Sequence, residues 1–375
     1  MELKYAKIRQ MNRDITLLLV IPTAILAKII HIFLLPDKYY FDSWRMLSMM
    51  SGGDGMQAWS GYQNTVDFYT KINIFHLSTL PQWSIVMGLF MTPIMMFLVS
   101  RTKQMEFREC IFTLMATGVL NIYVFSITKE MIQILYFLCI YITISLPIKN
   151  VALKILMCAG VYYWESTSFR SYYIIMAAMT VFMYAIFLWI KKRKTITKKH
   201  IVLFVIACFF AIFILFYVSR FVSYNDYKEA LNVRDGTTST IEGAQSAIVN
   251  PIEVNGNLGI FMFDYVINAF RMMIPIELLI KSPMYAPFVI YQFFILYYFF
   301  KTVKNIKQLD SNMLVTISCF AAYFFGSVVF EPDFGSWVRH EAATFPILQL
   351  MAYKSNLYEG VDKREGMVKY ETANV

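Results

Sequence analysis

Apolar residues in this chain gather into unbroken stretches, most of them about 17–21 residues long, separated by short polar connections rather than alternating within turns. The stretches lie near 15–35, 83–100, 110–127, 131–147, 151–163, 172–190, 201–219, 284–300, 312–330 and 341–353, the last being short. Runs of this length can cross a bilayer, and a helix is the open-ended structure that satisfies its own backbone within lipid. The pattern predicts an all-α, polytopic membrane helical bundle of about ten transmembrane helices (range about 9–12), forming one integral-membrane domain over 1–375. The first run begins near Ile15, is longer than the core of a signal peptide and lacks a small-residue cleavage site, so it is expected to be retained.

Composition narrows the class in the same direction. With 58% hydrophobic and only 16% charged residues, the chain has too little polar surface for a water-soluble enzyme, and it is equally far from disordered, collagen-like or disulfide-scaffold sequences. The net charge of +9 has no solvated domain on which to form a nucleic-acid footprint, so no nucleic-acid partner is expected. The five cysteines (Cys110, Cys139, Cys158, Cys208, Cys319) lie inside apolar runs without metal or redox spacing and are read as small buried hydrophobes.

Charge then orients the bundle. Of the 34 lysines and arginines, 22 fall in the N-terminus (Lys4, Lys7, Arg9, Arg13) and in 101–108, 149–154, 191–199, 301–307 and the tail 354–375. These segments share one side only if 259–280 does not cross, and basic connections stay cytoplasmic. Within 259–280, Asp264, Asn268 and Arg271 share one helical face and Pro275 and Glu277 follow, which predicts an amphipathic or re-entrant outer helix; a true span with a polar stripe facing the bundle is the alternative. Both termini are then cytoplasmic, with two long outer loops, about 36–82 and 220–283. The first contains Tyr39-Tyr40-Phe41-Asp42-Ser43-Trp44 and Ser51-Gly52-Gly53-Asp54-Gly55, rings and turn residues that suit carbohydrate, lipid headgroups or interfacial anchoring.

Ionisable residues at span edges are costly and draw attention to themselves. They recur in Thr128-Lys129-Glu130, in Glu165 to Arg170, and in Glu331-Pro332-Asp333-Phe334-Gly335-Ser336-Trp337-Val338-Arg339-His340-Glu341, all on the outer side. For any one of them a solvated loop charge or a mutual ion pair is the plainer reading. Taken together, Arg170, Arg220, Arg271 and Arg339 stand near span ends where a planar guanidinium can fork two oxygens of a phosphate, which points to an anionic lipid-linked group such as a pyrophosphate. Lys28 and His31 form a mid-span pair, and Lys28 is long enough to snorkel.

These segments resemble the Wzy-type polysaccharide polymerases of O-antigen and capsule synthesis. That family tends to show a Lys-Glu or Lys-Asp step at a span start, an Arg-Pro-Tyr-like step opening a middle span, and a Gly-Ser/Thr-x-x-Arg-His/Tyr segment with a later Pro. Here the corresponding residues are Thr128-Lys129-Glu130, Phe169-Arg170-Ser171-Tyr172 and Gly335-Ser336-Trp337-Val338-Arg339-His340 with Pro346 beyond; Ser171 departs from the usual Pro. The resemblance implies a glycosyltransferase that joins undecaprenyl-pyrophosphate-linked repeat units on the outer face of the bacterial plasma (inner) membrane, with a chain-length regulator protein as a possible partner. On that reading Arg170, Arg271 and Arg339, helped by Arg220 and Lys129, are expected to bind the pyrophosphate, and His340, Glu165, Glu331 or Asp333 to serve as base. No His-x-x-x-His, Asp-x-Asp or tight acid cluster stands on the outer side, so metal-independent chemistry with no cofactor is expected. The rivals are a flippase or transporter of the lipid-linked oligosaccharide, which should show a repeated half and deeper charges, and an O-antigen ligase-like glycosyltransferase.

Overall fold

Helix follows helix from the N-terminus onward in the computed structural model, which describes residues 2–53, 60–193, 197–222, 224–232, 234 and 246–354. The chain is all-helical at 81% helix, and among the described residues the only β pairing is one isolated antiparallel bridge, Ala247 to Asp333. Among the described residues, six segments are long and apolar enough to cross a membrane: Tyr5–Leu34, Leu80–Ser100, Phe107–Val124, Tyr173–Lys191, Pro283–Lys304 and Ser311–Phe330. The runs predicted at 131–147, 151–163 and 341–353 also fold as helices but fall short of that combined length and apolarity, and the run at 201–219 lies within the 25-residue helix Lys198–Val222. The chain is therefore a helical bundle of membrane character.

In chain order, α1 (Glu2–Ile29) ends in a π-helical turn at Ile30–Leu34. The predicted first outer loop is largely helical, with α2 (Phe41–Met50) and α3 (Ser60–Ile72); Asp54 and Gly55 lie outside the described residues. Next come α4 (Leu80–Ser100), opened by a Thr79–Gln82 capping box, and α5 (Phe107–Val119), which passes into a second π-helical turn, Leu120–Val124. Helix α6 (Lys129–Ser145) starts at Thr128, whose hydroxyl accepts from the Met131 amide at 3.1 Å, so Lys129 and Glu130 occupy its first turn. Helices α7 (Val151–Ser168), α8 (Tyr173–Lys191), α9 (Lys198–Val222) and α10 (Tyr224–Asn232) follow.

The stretch read as one amphipathic unit at 259–280 is broken. Helix α11 (Leu258–Met273) ends at Ile274, Pro275 intervenes, and a short α12 (Glu277–Lys281) resumes. Its polar positions, Asp264 and Asn268, are turned inward and buried, while Phe263 and Phe270 are exposed. Tyr265 donates to the Phe325 carbonyl at 2.9 Å, laying α11 against the bundle.

The chain closes with α13 (Ala286–Lys304), α14 (Ser311–Phe330) and α15 (Phe334–Ala343), and helix returns at 345–354 after a turn at Thr344 that precedes Pro346. The apolar stretch of α14 is 89% buried against 22% for that of the first helix, so α14 is a central pillar and α1 lies at the periphery. The 345–354 segment is also central: Phe345, Ile347, Leu348 and Met351 are all buried. Lys363, Arg364 and Lys369 of the predicted tail lie outside the described residues.

One basic residue behaves differently from expectation. Lys28 does not snorkel; its ammonium donates to Ser84 Oγ (3.0 Å) and to the carbonyls of Asn121 (2.8 Å) and Phe125 (2.6 Å), at the π-helical turn where backbone acceptors come free. Gly88 makes room for it, since a Cβ there would lie 2.4 Å from Lys28 Cε. His31 sits beside it, Nδ1 2.5 Å from the Ile122 carbonyl oxygen. The cysteines follow expectation: all five are free, and all but the half-buried Cys139 are buried.

Candidate functional site

Helix ends from distant parts of the chain converge at the end of the bundle opposite the connections 101–108 and 149–154. They are α2 and α3, the start of α6, the α7–α8 turn, the end of α14 and the start of α15. Local chemistry explains each placement. The α7–α8 turn exists because the Phe169 and Arg170 amides both return to the Glu165 carbonyl, at 2.8 and 3.1 Å, leaving Arg170 at the head of α8. Asp333 caps α15 by accepting from the Ser336 amide at 2.7 Å, which sets Arg339 and His340 two turns further on.

One half of the cluster is an Asp42–Tyr62–Lys129 triangle. Lys129 Nζ lies 2.9 Å from Asp42 Oδ2 and donates to the Tyr62 hydroxyl at 2.9 Å, and Tyr62 in turn donates to Asp42 Oδ1. Burial raises the pKa of the Asp42 carboxyl, but Lys129 and Arg339 outweigh it and hold the group well below the usual carboxylate range.

The other half is a carboxylate–imidazole–carboxylate chain. His340 Nδ1 bonds to Glu331 Oε1, and its Nε2 lies 3.1 Å from Glu130 Oε1. Burial disfavours charge on His340, yet Glu331 and Glu130 overcome it and raise its pKa above the ordinary value. The same pairing lowers that of Glu331 against its own burial. Asp333 moves the other way: burial raises it, with Arg339 only partly opposing.

The two arginines of this end keep donors in reserve. Arg339 Nε comes no closer than 3.8 Å to Glu130 Oε1, its side chain is 20% exposed, and it makes no hydrogen bond among the described residues. Arg170 donates one Nη1 bond to the hydroxyl of Tyr172, two residues on, at 2.5 Å and stacks over Phe169. Glu130 and Glu331 lie within electrostatic reach of both guanidiniums. Two forked donors with open N–H groups can take the oxygens of a phosphate or pyrophosphate bidentately.

Other predicted site residues stand apart. Arg271 is filled: Nε and Nη2 fork Glu277 at 2.7 and 2.8 Å, and Nη1 donates to the Val249 carbonyl and to Asn268. That leaves it a brace of the α11–α12 break rather than an open anion donor. Arg220 is exposed in the last turn of α9, and among the described residues no ion pair joins it to the cluster. Glu165 is fully buried, so its carboxylate cannot meet a substrate from outside the bundle.

Three participants escaped sequence reasoning. Asp42 and Tyr62 sit on short helices inside what reads as a loop, and Arg234 is buried with Nε donating to the Glu331 carbonyl at 2.6 Å. Only the proximity of Asp42 to the aromatic run hinted at the first. Among the described residues no group of three or more His, Cys, Asp or Glu is arranged to hold a metal ion. Compared with known proteins, the chain matches no family model, no curated sequence and no solved structure.

Proposed function

We propose that this protein is a polysaccharide polymerase, a glycosyltransferase of the bacterial plasma membrane. It transfers a growing glycan from undecaprenyl pyrophosphate to the sugar of an incoming lipid-linked repeat unit, building an O-antigen or capsular polysaccharide on the outer face. In this reading the bundle crosses about ten times with both termini cytoplasmic, and a chain-length regulator is a partner. The observation that carries the proposal is the pair Arg170 and Arg339, gathered from distant segments beside a charged cluster at one end of an apolar bundle, with unfilled guanidinium donors. Such a pair suits a leaving group whose negative charge grows in the transition state, and nearby carboxylates and an imidazole supply groups for moving the acceptor proton.

The test is a reconstituted membrane assay with defined lipid-linked repeats, scored by chain length. Wild type should form ladders, and Arg170→Ala and Arg339→Ala should each lower the rate by about 10²-fold or more. Normal ladders from both variants would remove the site. A deletion strain that caps single repeats onto the final acceptor supports polymerase; one that traps repeats inside indicates a flippase, and one that accumulates unattached long chains indicates a ligase.

A further inference from the structure

We infer that Asp333 accepts the proton of the attacking hydroxyl, while His340 is a fixed cation that helps hold the anionic leaving group. This rests on the polymerase reading and assigns the base within the same site. Accessibility and prior commitment decide among the carboxylates. Glu165 and Glu130 are at most 1% exposed. Glu331 is 4% exposed and spends Oε1 on His340. Asp42 is partly exposed, but Oδ1 takes the Tyr62 hydroxyl and Oδ2 takes Lys129. Asp333 is partly buried, and both of its bonds, from the Ser336 amide and from Ser246 Oγ at 3.3 Å, go to Oδ1. Its Oδ2 makes no hydrogen bond among the described residues.

His340 is excluded as base by the groups that face it. A carboxylate oxygen accepts only, so Nδ1 bonded to Glu331 favours N–H over a lone pair, and Nε2, which lies 3.1 Å from Glu130 Oε1 without hydrogen-bond alignment, is held in its protonated form by the charge of that carboxylate. An imidazole with both nitrogens protonated has no site left for the incoming proton. The nearby charges are Arg170, Arg339 and Lys129 on the positive side and Glu130, Glu331, Asp42 and Asp333 on the negative side, so the carboxylates in direct contact keep the ring charged.

Asp333 is also well placed on its frame. The segment at Ala247 pairs with it through the isolated bridge, Phe334 donates its amide to the Ser246 carbonyl at 2.9 Å, and Gly335 admits the close approach, since a Cβ there would meet Asp333 Oδ1 at 3.1 Å. Burial raises its carboxyl above the ordinary value, which strengthens it as a base. In the step, the acceptor oxygen forms a bond to the anomeric carbon of the donor while the bond from that carbon to the pyrophosphate oxygen breaks. Lipid pyrophosphate leaves with the electron pair beside Arg170, Arg339 and His340, and the hydroxyl proton passes to Asp333 Oδ2 and then to water.

The full chain in proteoliposomes, supplied with lipid-linked repeat units, tests this. Asp333→Asn and Asp333→Ser both retain a helix-capping side chain, so loss of the cap does not confound the result. Each should lower kcat about 10²–10⁴-fold with donor KM little changed, and Asp333→Glu should recover part of the rate. The ascending limb of the pH–rate profile should survive in His340→Gln, at reduced rate, and vanish in Asp333→Asn. Nitrogen-15 NMR of the histidines, only four in the chain, should show both His340 nitrogens protonated near neutral pH. Full activity in Asp333→Asn, loss of the ascending limb in His340→Gln, or a neutral His340 ring overturns the assignment. A wild type that forms no polymer removes the polymerase reading and this base with it, whereas an active wild type with unaffected Asp333 variants removes the base alone.

Discussion

Cations at the two ends of the bundle are treated in opposite ways. At the end of the basic connections, Lys154 is buried and spends its ammonium on the carbonyls of Ile144 and Leu146 (each 2.9 Å) and on Asn312 Oδ1 (2.8 Å), while Lys191 donates to the Leu309 carbonyl at 2.5 Å. Lys154 closes the end of α6, where backbone oxygens have no partner of their own, and Lys191 ties α8 to the connection before α14. At the other end Arg339 is 3.8 Å from its nearest carboxylate and the Arg170 guanidinium makes a single hydrogen bond among the described residues. A cation that stabilises a helix end is already consumed; one left with open donors beside lipid is available to a ligand. The contrast separates structural from functional charge better than burial does, because both kinds are withdrawn from water.

The largest effect should follow from erasing the open donors. Arg170→Ala with Arg339→Ala should lower polymerisation by more than about 10³-fold, roughly 4 kcal/mol of transition-state stabilisation, with the melting temperature in detergent nearly unchanged. A collapse in stability instead would class these arginines with the helix-closing lysines and dissolve the contrast. Arg339→Lys should recover little, because a point charge does not replace the planar fork.

The reciprocal test lies at the opposite end. Lys154→Met strands three acceptors in a buried site and should destabilise the protein by about 2–4 kcal/mol, while the remaining folded fraction turns over normally. Thermal unfolding and the specific rate per folded molecule read the two quantities separately. A selective loss of rate at full stability would place function at both ends.

A smaller effect is set by pH. The pKa of His340 is raised in the folded protein, so its pairing contributes fully below the ordinary histidine value of 6.5 and is lost as pH rises through the folded value. Glu331 is lowered, so its contribution is present above about 4.5 and is lost as pH falls through its folded value. Thermal stability should therefore fall on both sides of a window between about pH 4.5 and 6.5, the alkaline decline running from 6.5 up to the raised folded value of His340. His340→Gln should flatten the alkaline side; an unchanged alkaline decline would mean another group sets it.

Much of this contrast was legible in the chain, and the failures have physical causes. Apolar run length marks helices because lipid and bundle core impose the same demand, and charged steps at run edges marked Lys129, Glu130, Arg170, Glu331, Arg339 and His340, which the fold brings to one end. Asp42 and Tyr62 were hidden because their value depends on a triangle with Lys129, a contact across 67 residues from Tyr62 that no local spacing encodes. Lys28 was misjudged because snorkelling is argued from side-chain length, whereas the π-helical turn that frees its acceptors is a backbone irregularity. Arg271 looked like its fellow arginines until the break at Ile274–Ile276 folded Glu277 back onto it.

That last arginine gives the finest test of the contrast. Arg271 and Glu277 form a bidentate pair with side chains 22% and 28% exposed, a geometry that outperforms an ordinary surface bridge yet remains within reach of solvent screening. A double-mutant cycle of Arg271→Ala and Glu277→Ala should give a coupling of about 1 kcal/mol in unfolding free energy, shrinking as salt is raised. If Arg271 is a brace, Glu277→Ala should not improve donor binding, because freeing the guanidinium at this position presents it to no substrate. A lowered donor KM in Glu277→Ala would show the opposite: the fork is then a masked ligand site, and the division between consumed and open cations would have to be redrawn to include α11.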